Sequence, residues 1–227
     1  VVLWSTDFDH QRKLHRFNAS KTIDVSDRLQ VRLLSSPGYQ RNIGFGRIYD
    51  HFQLARLLKQ RLRMELNRPD VAFIGYPPIE TAAVMSKWLK NRNIPALLDV
   101  KDQWPSLFLD ALPKYLNLFG RVVFYPYFRM AKSTMRNVTG ISTMSDSFLN
   151  WAINFSGRKV SLADGVFPLT TAVGCIANSE LQGAEQWWDE LGVRNKGCVN
   201  LCFVGSLSPA FDFGPIREAA RLALDSG

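Results

Sequence analysis

Apolar residues in this chain fall into short solid runs alternating with stretches stepped by three and four, a pattern that predicts strands exchanging with helices. The alternation is clearest between Val71 and Pro105. Val71-Ala72-Phe73-Ile74-Gly75 reads as a strand, Tyr76-Pro77-Pro78 as a turn, and Ile79 to about Lys90 as a helix. Ile94 to Val100 is a second strand, ending abruptly at Lys101-Asp102-Gln103-Trp104-Pro105. Two buried strands joined by one helix make a right-handed βαβ unit, and ligands of such sheets collect at the carboxyl ends of the strands. Both ends carry unusual residues, so the working site is expected there.

The same reading extends to both sides. Val1-Val2-Leu3-Trp4, Thr22–Val25 and Gln30–Leu34 are expected strands, with a turn at Pro37-Gly38. Ile48, Phe52, Ala55, Leu58, Leu62 and Leu66 form one stripe of a helix from Gly46 to Leu66. Downstream come a short helix over Ser106–Leu112, a helical interval that Pro126 should kink, and a strand at Thr139–Met144. Ser145-Asp146 caps the next helix, through Phe148, Leu149, Trp151 and Ile153, and Val160–Leu162 is a brief strand. Residues 165–197 have the weak periodicity of a linker, with a short helix around Glu185–Leu191. Val199–Val204 then predicts a new buried strand, and Pro215–Leu224 a final helix. The fold class is α/β, with a mostly parallel sheet.

Charge divides the chain. Its net charge is +8, yet residues 1–163 hold 24 Lys/Arg against 12 Asp/Glu, and residues 164–227 hold 4 against 8. Two differently charged surfaces are therefore expected. No acid occurs between Asp110 and Asp146, while Lys114, Arg121, Arg129, Lys132 and Arg136 are interleaved there with Tyr115, Phe119, Phe124, Tyr125, Tyr127 and Phe128. That mixture fits either an interfacial surface or a buried helix with snorkelling cations. The basic residues of the 46–66 helix fit a solvated face or attraction to an anionic membrane or phosphate.

Other chemistry is sparse. The three cysteines lack CxxC spacing, which speaks against a disulfide framework or zinc knuckle. Asp7-x-Asp9-His10 is either a metal-binding loop or a polar strand end. Gly44-Phe45-Gly46 fails as a dinucleotide fingerprint, because no strand leads into it and its third glycine is missing. No nucleic-acid signature is present, so no nucleic-acid partner is expected. Val1 opens inside an apolar run, so the chain reads as a piece of a longer protein.

Five local features occur in one order: Tyr76-Pro77-Pro78, Val100 to Pro105, Thr143-Met144-Ser145-Asp146, Ala163-Asp164-Gly165-Val166 and Phe203-Val204-Gly205-Ser206-Leu207. Together they resemble the GT-B glycosyltransferases with a glycosyltransferase-4-like N-terminal domain. The nearest likeness is to the branch building bacterial O-antigen and capsule precursors, in which a basic-Asp-x-Trp-Pro run closes a strand. The opening Trp4 to His10 is similar to that branch too.

The resemblance implies two Rossmann-like domains facing across a cleft. Residues 1–165 would be the acceptor-side domain without its first strand, 166–197 a linker, and 198–227 the first strand and helix of the donor domain. It also implies a metal-independent, retaining transfer with no cofactor. The nucleotide-sugar is a co-substrate, and the acceptor is a saccharide or lipid-linked molecule in cell-surface polysaccharide synthesis. The expected place is cytoplasmic, at the inner face of the cell membrane, with an anionic membrane surface as partner. The chain alone would be catalytically incomplete.

Asp102, at a strand end, becomes the candidate to orient or deprotonate the acceptor hydroxyl, or else a cap for the following turn. Tyr76, Pro77, Pro78 and Glu80 are placed to meet acceptor hydroxyls. Lys101 would meet an acceptor phosphate or a neighbouring acid, and Trp104 would stack on a sugar or pack under its loop. Gly205 and Ser206 would hold the donor. The Arg and Lys that relatives carry after this glycine are missing here, so a non-catalytic domain with a degenerate donor site is the alternative.

Overall fold

A computed structural model describes residues 1–225 except Ile43, Ala111, 171–173, Cys175, 194–199 and 206–210. The chain divides into two compact units, Val1–Thr170 and Thr171–Gly227.

The first unit opens with β1 (Val2–Thr6) and a two-residue hairpin of β2 (Phe8–Asp9) and β3 (Leu14–His15), which periodicity does not reveal. β4 (Lys21–Ser26) and β5 (Leu29–Leu34) follow. β5 is central to this sheet, parallel to β1 and antiparallel to β4, with Val2 opposite Gln30 and Thr6 opposite Leu34. Then come α1 (Phe45–Arg63), β6 (Ala72–Tyr76), α2 (Ile79–Lys90), β7 (Ala96–Val100), α3 (Ser106–Asp110), α4 (Asn117–Val123), α5 (Tyr125–Asn137), β8 (Gly140–Thr143), α6 (Asp146–Ser156) and β9 (Gly165–Val166). β6-β7-β8-β9 form a four-stranded parallel sheet flanked by helices. This mixed α/β arrangement is compatible with a Rossmann-like fold.

The core lies on the one face of β7 and β8 that packs with α2, α5 and α6. Leu98, Val100 and Ile141 are fully enclosed, with Ile79 and Leu89 of α2, Ala131 and Met135 of α5, and Ala152 of α6 in the same cluster. Trimming one methyl group in Ile141→Val is expected to cost about 1 kcal/mol, read as a lower urea midpoint with an unchanged slope.

Several expected elements shift for physical reasons. The buried apolar positions of α1 are Leu54, Ala55, Leu58 and Leu62 rather than the full run from Ile48, and the three leucines pack with Leu34. Ile48 and Phe52 stay exposed, and Leu66 lies beyond the helix. Trp88 Nε1 donates to the Leu62 carbonyl at 2.8 Å, satisfying one of the last acceptors of α1. At Pro126 the helix breaks instead of kinking: α4 stops and α5 restarts with the proline in its first turn, where a missing N–H costs nothing. The Val160–Leu162 strand does not form. The Asp164 carboxylate takes the Ser161 amide at 2.7 Å, and pairing begins only at Gly165.

Among the described residues the outer edges of β1 and β6 are both unpaired, and both line one cleft of about 1070 Å³. Val2, Leu3, Val71 and Phe73 are left exposed as a result.

In the second unit, α7 (Asn178–Glu190) and α8 (Gly214–Asp225) form as expected, α7 starting earlier than its pattern indicated. The strand expected over Val199–Val204 is a correction. Val199 lies outside the described residues, and Asn200–Val204 carry no strand and are exposed. Pairing needs a neighbouring ladder, and no described residue of 171–225 supplies one. Phe203 instead rests edge-on against Phe211 and Phe213. Among the described residues, no helix is long and apolar enough to cross a membrane.

Candidate functional site

The carboxyl ends of β6 and β7 meet the amino end of α1. Tyr76, the last residue of β6, is 1% exposed, and its hydroxyl donates to the Trp104 carbonyl at 2.5 Å. Burial, reinforced by the nearby Glu80 charge, pushes its phenol far up, so it acts as a fixed donor tying the two strand ends together. Tyr76 thus faces the core, not open space.

Pro77 and Pro78 carry the chain from there into α2, and Glu80 in its first turn is buried. Its carboxylate accepts the Tyr127 hydroxyl at 2.9 Å and lies 3.6 Å from His51 Nδ1. Burial and the Glu80 charge push the Tyr127 phenol up as well. Glu80 therefore joins α1, α2 and α5, its oxygens already engaged.

Beyond β7, Lys101 Nζ pairs with Asp99 at 3.3 Å, and Asp99 also accepts the Ser142 hydroxyl at 2.9 Å. The neighbouring-acid reading of Lys101 is the one the geometry carries. Trp104 is half-buried, edge-on to Phe108 with ring centres 4.6 Å apart. It packs beneath its loop.

Asp102 differs from all of these. It remains exposed, and among the described residues no donor bonds to its carboxylate, so it caps no turn. Partial burial raises its pKa from the usual aspartate value, while the Arg47 guanidinium pulls the other way. Arg47, in the first turn of α1, sits over the Trp104 ring at 5.5 Å and the Tyr39 ring at 5.8 Å. One terminal nitrogen donates to the Asn42 carbonyl at 2.9 Å, while its Nε is buried without a hydrogen-bond partner. A buried unsatisfied donor on a cation is costly, and an anionic or carbonyl group reaching Arg47 would relieve it.

The loops on the far side of α1 hold this end in place. Asp50 is buried and accepts the Gly38 amide at 2.6 Å. Gly38 has φ +76°, and a Cβ there would stand 2.7 Å from the Phe8 ring, so both the backbone and the space demand glycine. Tyr39 packs against Phe8 and meets His51 edge-on. Asp7, fully buried, pairs with His15 Nδ1 at 3.0 Å. Asp9 takes the Gln11 and Arg12 amides on one oxygen, which lowers its pKa. The Asp7-x-Asp9 pattern is thus a folded polar loop. Among the described residues no group of three His, Cys, Asp or Glu stands close enough to hold a metal ion.

The donor-side candidates are not built in the same way. Gly205 lies at a bend in an exposed segment, and Ser206 lies outside the described residues. Arg47, His51, Tyr127 and His15 were not legible as site residues because they come from α1, α5 and β3, far in sequence from the ends of β6 and β7. Arg47 had one local signal: a cation in the first turn of a helix opposes the macrodipole and needs another reason to be there. Comparison with protein-family models finds no match, and comparison with curated proteins finds none either.

Proposed function

We propose that the chain is the acceptor-side part of a GT-B-type glycosyltransferase, moving a sugar from a nucleotide-sugar to a lipid-linked acceptor in cell-surface polysaccharide synthesis. The observation that carries this reading is the juxtaposition of Asp102 and Arg47 at the end of β7. An exposed carboxylate with a raised pKa stands beside a guanidinium with an unused buried N–H. Asp102 would accept the proton of the attacking hydroxyl, or fix its direction, and Arg47 would hold a nearby anionic oxygen. Tyr76 braces that loop through the Trp104 carbonyl, Glu80 ties α1 and α5 to the start of α2, and Pro77-Pro78 line the cleft beside β6. The unpaired edges of β1 and β6 support the same reading, since a parallel strand between them would join both sheets into one.

In this reading the transfer needs no metal or cofactor, retains anomeric configuration, and takes place in the cytoplasm at the inner face of the membrane. Gly205, with Ser206, would begin the donor half. The scaffold alternative draws on two observations: no described residue of 171–225 is buried, and the described residues just before Gly205 form no strand.

The test is acceptor-dependent release of nucleoside diphosphate by the full-length protein, across a panel of nucleotide-sugars and polyprenyl-phosphate acceptors, with and without chelator. Chelator-resistant release is the expected result. Silence across the panel, with nucleotide-sugar binding absent by calorimetry, would leave only the scaffold.

A further inference from the structure

The first unit carries a second chemical surface, away from Asp102. A cavity of about 1020 Å³ between α4, α5 and α6 is walled by Arg121, Arg129, Lys132 and Arg136, with Lys90 at its edge. Asp110 is the one acid on its wall. Among the described residues none of these five cations makes an ion pair. Arg136 Nε donates to the Ser156 carbonyl at 2.6 Å, Lys90 to Asn137 at 3.0 Å, and Lys132 lies 5.5 Å from the centre of the Phe155 ring. Arg121, Arg129 and Lys132 are exposed.

Beside this cavity α4 is turned inside out. Its buried position is Gly120, where a Cβ would meet Leu112 at 2.6 Å. At 100° per residue, Leu118 and Val122 project opposite that glycine, flanked by Phe119 and Arg121. Leu118 is 78%, Val122 69% and Phe119 67% exposed, with Tyr115 and Tyr125 exposed at either end. Arg121 belongs to both features, on the helix beside the apolar stripe and in the wall of the basic cavity.

We infer that this face docks on an anionic lipid bilayer. Leu118, Phe119 and Val122 enter the headgroup boundary, and Arg121, Arg129, Lys132 and Arg136 take lipid phosphates. Charge complementarity selects this occupant: five unpaired cations around a single acid repel one another until anions cover them, and the adjoining apolar stripe needs a non-aqueous partner. A soluble phosphate would satisfy the cavity and leave the stripe in water. The inference deepens the lipid-linked acceptor of the proposed function but rests on different residues, so each can fail alone.

Cosedimentation of the chain with phosphatidylserine–phosphatidylcholine vesicles, against pure phosphatidylcholine, tests it. Strong binding to the first, weakened by salt, is expected, with little binding to the second. Arg121→Gln/Arg129→Gln/Lys132→Gln should weaken partitioning by at least about thirtyfold. Leu118→Ser/Val122→Ser should remove the binding that survives high salt. All five positions are exposed, and an unchanged melting curve would show that the variants fold. Equal binding to both vesicle types overturns the inference. So does full displacement by inorganic pyrophosphate with the Leu118/Val122 variant unaffected, preferential binding to an oligonucleotide, or concentration-dependent dimerisation that buries the stripe.

Discussion

Asp102→Asn in the full-length protein is expected to lower sugar transfer by about 10²- to 10⁴-fold, the range by which a positioned general base accelerates proton transfer. The substitution keeps the shape and removes the basicity, so acceptor KM should move far less than kcat. The pH profile gives a second readout. Burial raises the Asp102 pKa, so its basic form is available only above a pH higher than for an ordinary aspartate, and the acid limb of the rate should be displaced upward accordingly. Arg47→Ala removes the opposing pull and should displace that limb further up. The asparagine variant should lose the limb altogether. Stability runs the other way: a carboxyl whose folded pKa is raised stabilises the fold below its unfolded pKa and loses that contribution as pH rises through the folded value. At neutral pH Asp102→Asn should therefore melt no earlier than the parent. Turnover like the parent's, with an unmoved acid limb, would sink the catalytic role.

What could be read from the sequence is the part in which local pattern and tertiary environment agree. β6, α2 and β7 lie where the apolar runs and the Pro77-Pro78 turn place them, because buried parallel strands need solid apolar runs and a helix starts well after proline. The Asp102 loop was legible as a strand end for the same reason. Its chemistry was not, because the Asp102 pKa is set by partial burial in the folded chain and, in opposition, by Arg47, 55 positions earlier, and no local signal couples the two. Glu80 shows the converse. From its place at a helix start it was expected to face substrate, and only the folded chain brings Tyr127 and His51 onto its oxygens. The Val199–Val204 run shows the limit of pattern itself. β propensity describes a side chain's fit to a pleated surface, and without neighbouring strands Asn200–Val204 form no strand and stay exposed.

Asp164 is where the largest loss of stability is expected. It entered the sequence reading only as one letter of Ala163-Asp164-Gly165-Val166, but its side chain is 1% exposed and holds three donors. The Ile141 amide reaches one carboxylate oxygen at 2.8 Å, the Ser161 amide the other at 2.7 Å, and Arg158 approaches at 3.3 Å. Arg158 in turn donates to the Met135 and Thr139 carbonyls, so one carboxylate ties the end of α5 to β8 and to the loop before β9. There is no slack there: a Cβ on Gly140 would stand 2.3 Å from the Ala163 carbonyl oxygen. In Asp164→Ala two amides and a mostly buried guanidinium lose their acceptor together, a change expected to cost about 4 kcal/mol. For a unit of this size that is a fall in Tm of about 8–16 °C. Asp164→Asn keeps one acceptor oxygen but turns an NH₂ group toward donors, and should fall between the alanine variant and the parent. Because the pair is shielded from solvent, added salt should recover little of the loss. A Tm for Asp164→Ala within about 2 °C of the parent would mean that β9 is held by its ladder to Ser142 and Thr143, not by this carboxylate.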